Sequence, residues 1–201
     1  MVDIIHAAGW PIWPLIFASI IAVAIIFERL WALRTSTIAP DSLLLEAQKM
    51  ITKDGVKKEA IQSLQDHSML GEIFASALSN YNSPSEIIKD AIEETGRAVN
   101  HKLEKYLSTL GTIATVAPLL GLFGTIIGMV ELFSSFTSSG NDVAVFARGI
   151  SIALYNTAGG IVVAVPAMIA YRFFRTKIDT LIFEMEQQAI KLVEIINGNR
   201  K

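Results

Sequence analysis

Three stretches of this chain carry no charged side chain for the length of a membrane crossing: Gly9 to Phe27, Tyr106 to Val130, and Gly149 to Tyr171. Each holds 19 to 25 residues, and about 20 residues of helix cross a hydrocarbon core of ~30 Å. Lipid offers no hydrogen-bond partners, so a segment inside it must satisfy its own backbone, which a helix does. The chain is 52% hydrophobic and 18% charged, against roughly 25% charged in soluble domains, and the apolar excess sits in these blocks. Three buried helices of a soluble core would not need such lengths. A signal peptide would need a basic start and a small-residue cleavage site. The first run lacks the basic start and ends in Glu28-Arg29-Leu30-Trp31, so it reads as a retained span. The fold class that follows is all-α: a polytopic membrane protein with three transmembrane helices.

Orientation follows from lysine and arginine, which stay on the cytoplasmic side. Met1–Ala8 has none, Glu28–Lys105 has ten, Glu131–Arg148 has one, and Arg172–Lys201 has six. The N-terminus and the short loop are therefore expected outside, with the middle segment and the tail in the cytoplasm. Trp10, Trp13 and Trp31 fall at the ends of the first span, where an interfacial belt places tryptophan. Four regions result: 1–31 (N-terminus and first span), 32–105 (cytoplasmic helical segment), 106–171 (second and third spans with a short loop), and 172–201 (cytoplasmic C-terminal helix).

Within 32–105, helices are expected over Ser42–Thr52 and from about Val56 to Asn80, with a break near His67. Ser83-Pro84-Ser85-Glu86 combines a capping box with proline at the first helical position, a helix-start signal. From there to the second span only Gly96 interrupts helix-forming residues, so long cytoplasmic extensions of spans two and three are expected. In the tail, Ile178, Leu181, Ile182, Met185, Leu192 and Ile196 recur at helical spacing. Such a stripe needs burial, and neighbouring copies of the chain are the simplest cover, which implies a homo-oligomer.

Little supports catalysis. There is no cysteine, and the three histidines (His6, His67, His101) lack partners at metal-ligand spacing. The carboxylates of Asp41, Glu46, Asp54, Glu59 and Asp66 are scattered, and no phosphate loop is present. A net charge of −2 gives no reason to expect nucleic acid. No metal, cofactor or enzymatic activity is expected.

The spans are more informative. Gly121, Gly124 and Gly128 share one face of span two, and Ala158, Gly159 and Gly160 lie in span three. Small residues let membrane helices approach closely. Pro118 and Pro166 each free a carbonyl within a span. Thr125 and Thr157 lie at similar depths, ~7 and ~12 Å below the outer boundary at 1.5 Å per residue. Two hydroxyls beside a glycine-lined face are placed to line a hydrated path; the alternative is that each bonds back to its own helix. Asn156 is an amide in hydrocarbon and needs partners, and Tyr155 is its neighbour. No Asp, Glu, His, Lys or Arg lies inside any span, whereas proton relays use such a group. If protons pass, the titrating carboxylate belongs to a partner.

Two of these stretches resemble the MotA/TolQ/ExbB proton-channel family. They are Pro118-Leu-Leu-Gly121-Leu-Phe-Gly124-Thr125-Ile-Ile-Gly128-Met and Gly149-Ile-Ser-Ile-Ala-Leu-Tyr-Asn-Thr157, the latter followed by Ala164-Val165-Pro166-Ala167. Phe27-Glu28-Arg29-Leu30 extends the resemblance to the first span, and three spans fit ExbB first and TolQ next. The resemblance implies a homopentamer in the bacterial inner membrane around an ExbD/TolR-like single-span protein. That partner bears the proton-carrying aspartate, and the work passes to TonB or TolA. It matches the family's channel threonines to Thr125 and Thr157 and its span prolines to Pro118 and Pro166. One departure stands out: many members carry glutamate in a stretch like G-I-x-E-A-L, where this chain has Ile152. The implied function is a proton-channel subunit energising TonB-dependent transport. A TolQ-like role in envelope maintenance and a non-conducting scaffold are the other two readings.

Overall fold

The structure, a computed structural model, describes residues 9–40, 42–51, 57–139 and 143–198. Every regular element among them is a helix: α1 (Ile12–Ala32), α2 (Thr35–Ile38), α3 (Leu43–Lys49), α4 (Lys58–His67), α5 (Met69–Ser79), α6 (Ser85–Leu103), α7 (Leu107–Ser139) and α8 (Val143–Ile196). They fall into two compact units. One takes residues up to Glu28 and Tyr106–Phe173; the other takes Arg29–Lys105 and the chain from Phe174 onward.

Among the described residues three helical stretches are long and apolar enough to cross a membrane, Ile12–Ala32, Leu107–Ser134 and Gly149–Ile196, and the charge-free run of each lies in the first unit. Its small core joins Leu15 of α1, Ala117 of α7 and Ala164 of α8, with Leu120 and Val163 packed against them. Much of the remaining apolar surface points outward: Phe17, Ile20, Leu119, Val162 and Ile169 are all exposed. In water that surface would be costly; against lipid it is the expected exterior. Pro118 and Pro166 lie inside α7 and α8 without ending either helix.

The second unit packs as a soluble helical domain does. Phe74, Leu70 and Leu78 of α5, Ile88 and Leu103 of α6, and Phe174, Ile178 and Leu181 of α8 are all fully buried. Apolar burial on this scale contributes roughly 1.5–3 kcal/mol per large side chain. The expected break near His67 is a single residue, Ser68, whose hydroxyl caps α5 by accepting from the Gly71 amide at 3.0 Å. A Cβ on Gly71 would stand 1.9 Å from the Leu64 carbonyl oxygen, so only glycine lets α4 and α5 meet at this corner. The Lys102 ammonium reaches the Glu72 carboxylate at 2.7 Å, joining α6 to α5.

Three details differ from the sequence reading. Most of the tail stripe is covered by the chain itself: Ile178, Leu181, Met185 and Leu192 are buried within one copy, and Ile182 and Ile196 are half-buried. That stripe therefore does not require neighbouring copies. The extension of span two is a separate helix, because α6 stops at Leu103 and a turn over 104–106 precedes α7. Tyr106 there adopts φ +64°, a left-handed conformation that costs a non-glycine residue about 1–2 kcal/mol. Side chains hold that turn where no glycine or proline announces it. The buried Arg29 guanidinium donates to the Leu103 carbonyl at 3.1 Å, and Arg175 meets Glu104 at 2.6 Å. Finally, α6 starts at Ser85, near the expected position, but Pro84 is its N-cap and makes no side-chain cap bond. The proline's extended ψ of 147° ends the preceding chain, so the helix starts without the hydroxyl.

Arg29 is 5% exposed and bonds the last carbonyl of α6, at the negative end of that helix. Replacing it by methionine keeps the stem and leaves the carbonyl without this donor. Arg29→Met is expected to lower stability by about 2 kcal/mol, the range for a buried hydrogen bond to a charged group. Thermal unfolding of the purified protein in detergent checks this, and an unchanged midpoint would refute it.

Candidate functional site

The helices α7 and α8 lie antiparallel, as the pairs across them show. Tyr171 sits over Gly111, Gly160 over Ala117 and Gly121, Asn156 over Gly124, Ala153 over Gly128, and Leu132 over Gly149. As one number climbs the other falls. Three of the glycines are required by that approach. A Cβ on Gly121 would lie 2.7 Å from the Asn156 carbonyl oxygen, and one on Gly160 would lie 2.6 Å from that of Ala117. On Gly124 it would lie 2.7 Å from Asn156 Cγ. Gly128 differs, since its Cβ would meet Ala153 Cβ at 3.4 Å, an ordinary contact.

Gly121 and Gly124 bring the backbones close enough for short side chains to reach across. Thr125 Oγ1 is 2.5 Å from Thr157 Oγ1, 3.0 Å from the Ala153 carbonyl oxygen and 3.2 Å from that of Gly121. A hydroxyl has one hydrogen and a carbonyl only accepts. When Thr125 donates to a carbonyl, across at Ala153 or back at Gly121, Thr157 donates to Thr125; when Thr125 donates to Thr157, the carbonyls lose that hydrogen. Both dispositions considered for span threonines are present in this one residue. The contrast with the other hydroxyls is clear. Among the described residues, Thr112, Thr115 and Ser151 bond only carbonyls of their own helices.

Asn156 is 1% exposed and packs into the space that Gly124 leaves open. Tyr155, one position earlier, turns away: it is 42% exposed, and among the described residues it makes no hydrogen bond to either threonine. The site thus brings together Thr125, Thr157, Asn156, Gly121, Gly124 and Gly160, and leaves Tyr155 at its edge. Pro118 lies one turn from Gly121 on α7, and Pro166 lies beyond Gly160 on α8. The side chain of Ile152 and the segment Met1–Ala8 lie outside the described residues. Sequence reasoning missed the Ala153 carbonyl, a backbone acceptor. Its signal was position alone, one turn before Thr157.

Chemically, a paired hydroxyl can accept and donate at once, so the site can pass a hydrogen-bond chain along. It holds no carboxylate, imidazole or amine, because the spans contain none. If protons pass here, a carboxylate that stores them is not among the side chains of these spans.

A family model described as the MotA/TolQ/ExbB proton channel family matches residues 65–187. Among named relatives, the putative biopolymer transport protein ExbB-like 1 of Synechocystis is 28% identical over 176 residues, spanning 86% of this chain and 69% of that protein. The Tol-Pal system protein TolQ of Pseudomonas aeruginosa is 30% identical over 193 residues, spanning 88% of this chain and 84% of its own. Among solved structures, the flagellar MotAB stator complex of Bacillus subtilis shares the fold with a TM-score of 0.58 at 19% identity. That match covers 94% of this chain and 78% of the stator chain. The matched region takes in the glycine-notched contact of α7 and α8 with its threonine pair, and this chain belongs to the MotA/TolQ/ExbB proton channel family.

Proposed function

We propose that this chain is the proton-channel subunit of an inner-membrane motor of the ExbB kind, using the proton-motive force to energise TonB-dependent outer-membrane transport. The observation that carries this is the Thr125–Thr157 hydroxyl contact, made across two antiparallel spans whose charge-free runs hold no Asp, Glu, His, Lys or Arg. In this reading the chain forms the wall of the path. A single-span partner of the ExbD/TolR kind supplies the carboxylate that takes up and releases the proton. Copies of the chain surround that partner as a pentamer, and the exposed apolar residues of the first unit face lipid, partner or neighbour. Tyr155 lies at the exposed side of the same turn of α8 and faces the partner. The N-terminus is periplasmic and the tail cytoplasmic, as the Lys and Arg counts favour.

The second reading is a TolQ-like role with TolR and TolA in envelope maintenance. A relative named TolQ is as similar as one named ExbB-like. Complementation separates the two: rescue of TonB-dependent uptake supports the first role, and rescue of envelope integrity alone supports the second.

Valine matches threonine in shape and lacks the hydroxyl. Thr157→Val is expected to cut energised uptake by about a hundredfold, at the low end of what a positioned proton-transfer group contributes, while the oligomer elutes unchanged. Normal uptake in this variant would remove the hydroxyl pair from the mechanism.

In liposomes, proton flux is expected to need both this chain and its single-span partner, and to vanish when the partner's span aspartate becomes asparagine. Flux from this chain alone would contradict a shared path. The absence of flux in every combination would favour the non-conducting scaffold.

Because the chain has no cysteine, orientation is directly measurable. Ser134→Cys is expected to react with an impermeant maleimide from the periplasmic side, and Gln187→Cys only after the membrane is opened. The reverse pattern would invert the topology.

A further inference from the structure

Asn156 is the one side chain of the site whose presence packing economy does not explain. An amide moved from water into an apolar setting costs roughly 2–7 kcal/mol before its hydrogen bonds are counted. Yet the chain keeps one at 1% exposure within a membrane span. It also keeps a glycine directly opposite, so that the amide has somewhere to go. The Cβ that any other residue would carry at position 124 would lie 2.7 Å from Asn156 Cγ and 2.8 Å from Asn156 Cβ. Those atoms are near the Asn156 backbone, not the far end of a flexible chain, so neither could give way cheaply. One helix turn away, Gly128 opposes Ala153 at 3.4 Å and needs no such notch.

We infer that Asn156 is a positioning residue: its side chain, seated in the notch of Gly124, fixes the axial register of α7 against α8 and so sets the Thr125–Thr157 contact. The neighbours in sequence carry the argument. Gly124 precedes Thr125 and Asn156 precedes Thr157, so the seated pair and the hydroxyl pair are adjacent on both helices. A slip of α8 along α7 by one residue, about 1.5 Å of rise, would lift Asn156 out of the notch and separate the two Oγ1 atoms from 2.5 Å. Stripes of small residues permit close approach at several registers; a shaped side chain in a single notch selects one. The consequence for conduction rests on the hydroxyl-pair reading above, but the register itself does not.

Disulfide trapping in the full-length protein in membranes tests this. A Thr125→Cys/Thr157→Cys pair would place two sulfurs near the positions of two oxygens that now stand 2.5 Å apart, within reach of a bond of about 2.0 Å. In that background Asn156→Ala is expected to slow oxidative cross-linking roughly tenfold, because a geometry-limited reaction loses that much or more for an ångström of misplacement. Asn156→Leu, of similar branching and reach, is expected to restore the rate. Gly124→Ala fills the notch from the opposite side and is expected to slow cross-linking as Asn156→Ala does, whereas Gly128→Ala leaves it unchanged. This comparison holds even if Asn156→Ala fails to accumulate. Three results would overturn the inference: cross-linking in Asn156→Ala at the parent rate, Asn156→Leu as slow as Asn156→Ala, or Gly124→Ala as fast as Gly128→Ala. Lost proton flux in Asn156→Ala with unaltered cross-linking would likewise overturn it, by placing the amide in conduction. If Thr157→Val proves fully active, the hydroxyl reading fails, and the cross-linking series still decides the register.

Discussion

Hydrocarbon supplies neither hydrogen-bond partners for a backbone nor a hydrophobic reason for two helices to associate. Everything specific about the spans follows from how the chain answers that. The backbone answer is helix. The association answer is contact so close that it excludes Cβ atoms at Gly121, Gly124 and Gly160. Glycine is a poor helix former, roughly 1 kcal/mol worse than alanine in water, and here its use is geometric. Removing three Cβ atoms brings backbones together, and that proximity allows a threonine hydroxyl on α7 to reach both a hydroxyl and a carbonyl on α8. With larger residues at the notches the same threonines would be left to bond within their own helices, as Thr112 and Thr115 do.

The second unit solves a different problem with different means. There, burial of side chains such as Phe74, Leu103 and Ile178 drives association. Charge enters at its helix ends and surfaces, through Arg29 on Leu103, Arg175 on Glu104, and the Lys177 ammonium donating to Thr35 Oγ1 at 2.9 Å. Exposed pairs of that kind are worth at most about 1 kcal/mol, so the buried Arg29 bond matters more. The helix α8 contributes to both units, with small residues at its close contacts in one and a fully buried Ile178, Leu181 and Met185 face in the other. A single helix therefore changes its packing chemistry partway along its length.

How much of this was legible in the sequence depended on the range of the interaction. Spans were legible because length and the absence of charge are local properties, and Gly9–Phe27 carried both. The break at Ser68 was legible to within a residue, because a short polar side chain there caps α5 locally. The glycine face and the matched depth of Thr125 and Thr157 were legible from helical geometry alone. What failed was long-range. The turn before α7 has no glycine or proline, and Tyr106 adopts its left-handed backbone in a turn flanked by side-chain bonds from residues distant in sequence, Arg29 and Arg175. The apolar stripe on the tail pointed correctly to a covering surface, most of which is supplied by the same chain. Periodicity tells which residues are covered and never by what. The Ala153 carbonyl was invisible for a related reason: a backbone acceptor has no residue type to read.

The missing charge in the spans bears on what kind of part this chain is. A carboxylate buried in lipid would be costly to hold ionised, and a chain present in several copies would pay that cost in each. Hydroxyls avoid it: they accept and donate without a change of charge, and in the function proposed above they would form the wall beside a partner's titrating group. The wall must then be rigid in the one respect that matters, the placement of donor against acceptor, because a path of neutral groups has no strong field to draw misplaced partners together. In the register inferred above, glycine notches with a seated asparagine would meet that need. Steric fit resists axial sliding without adding charge.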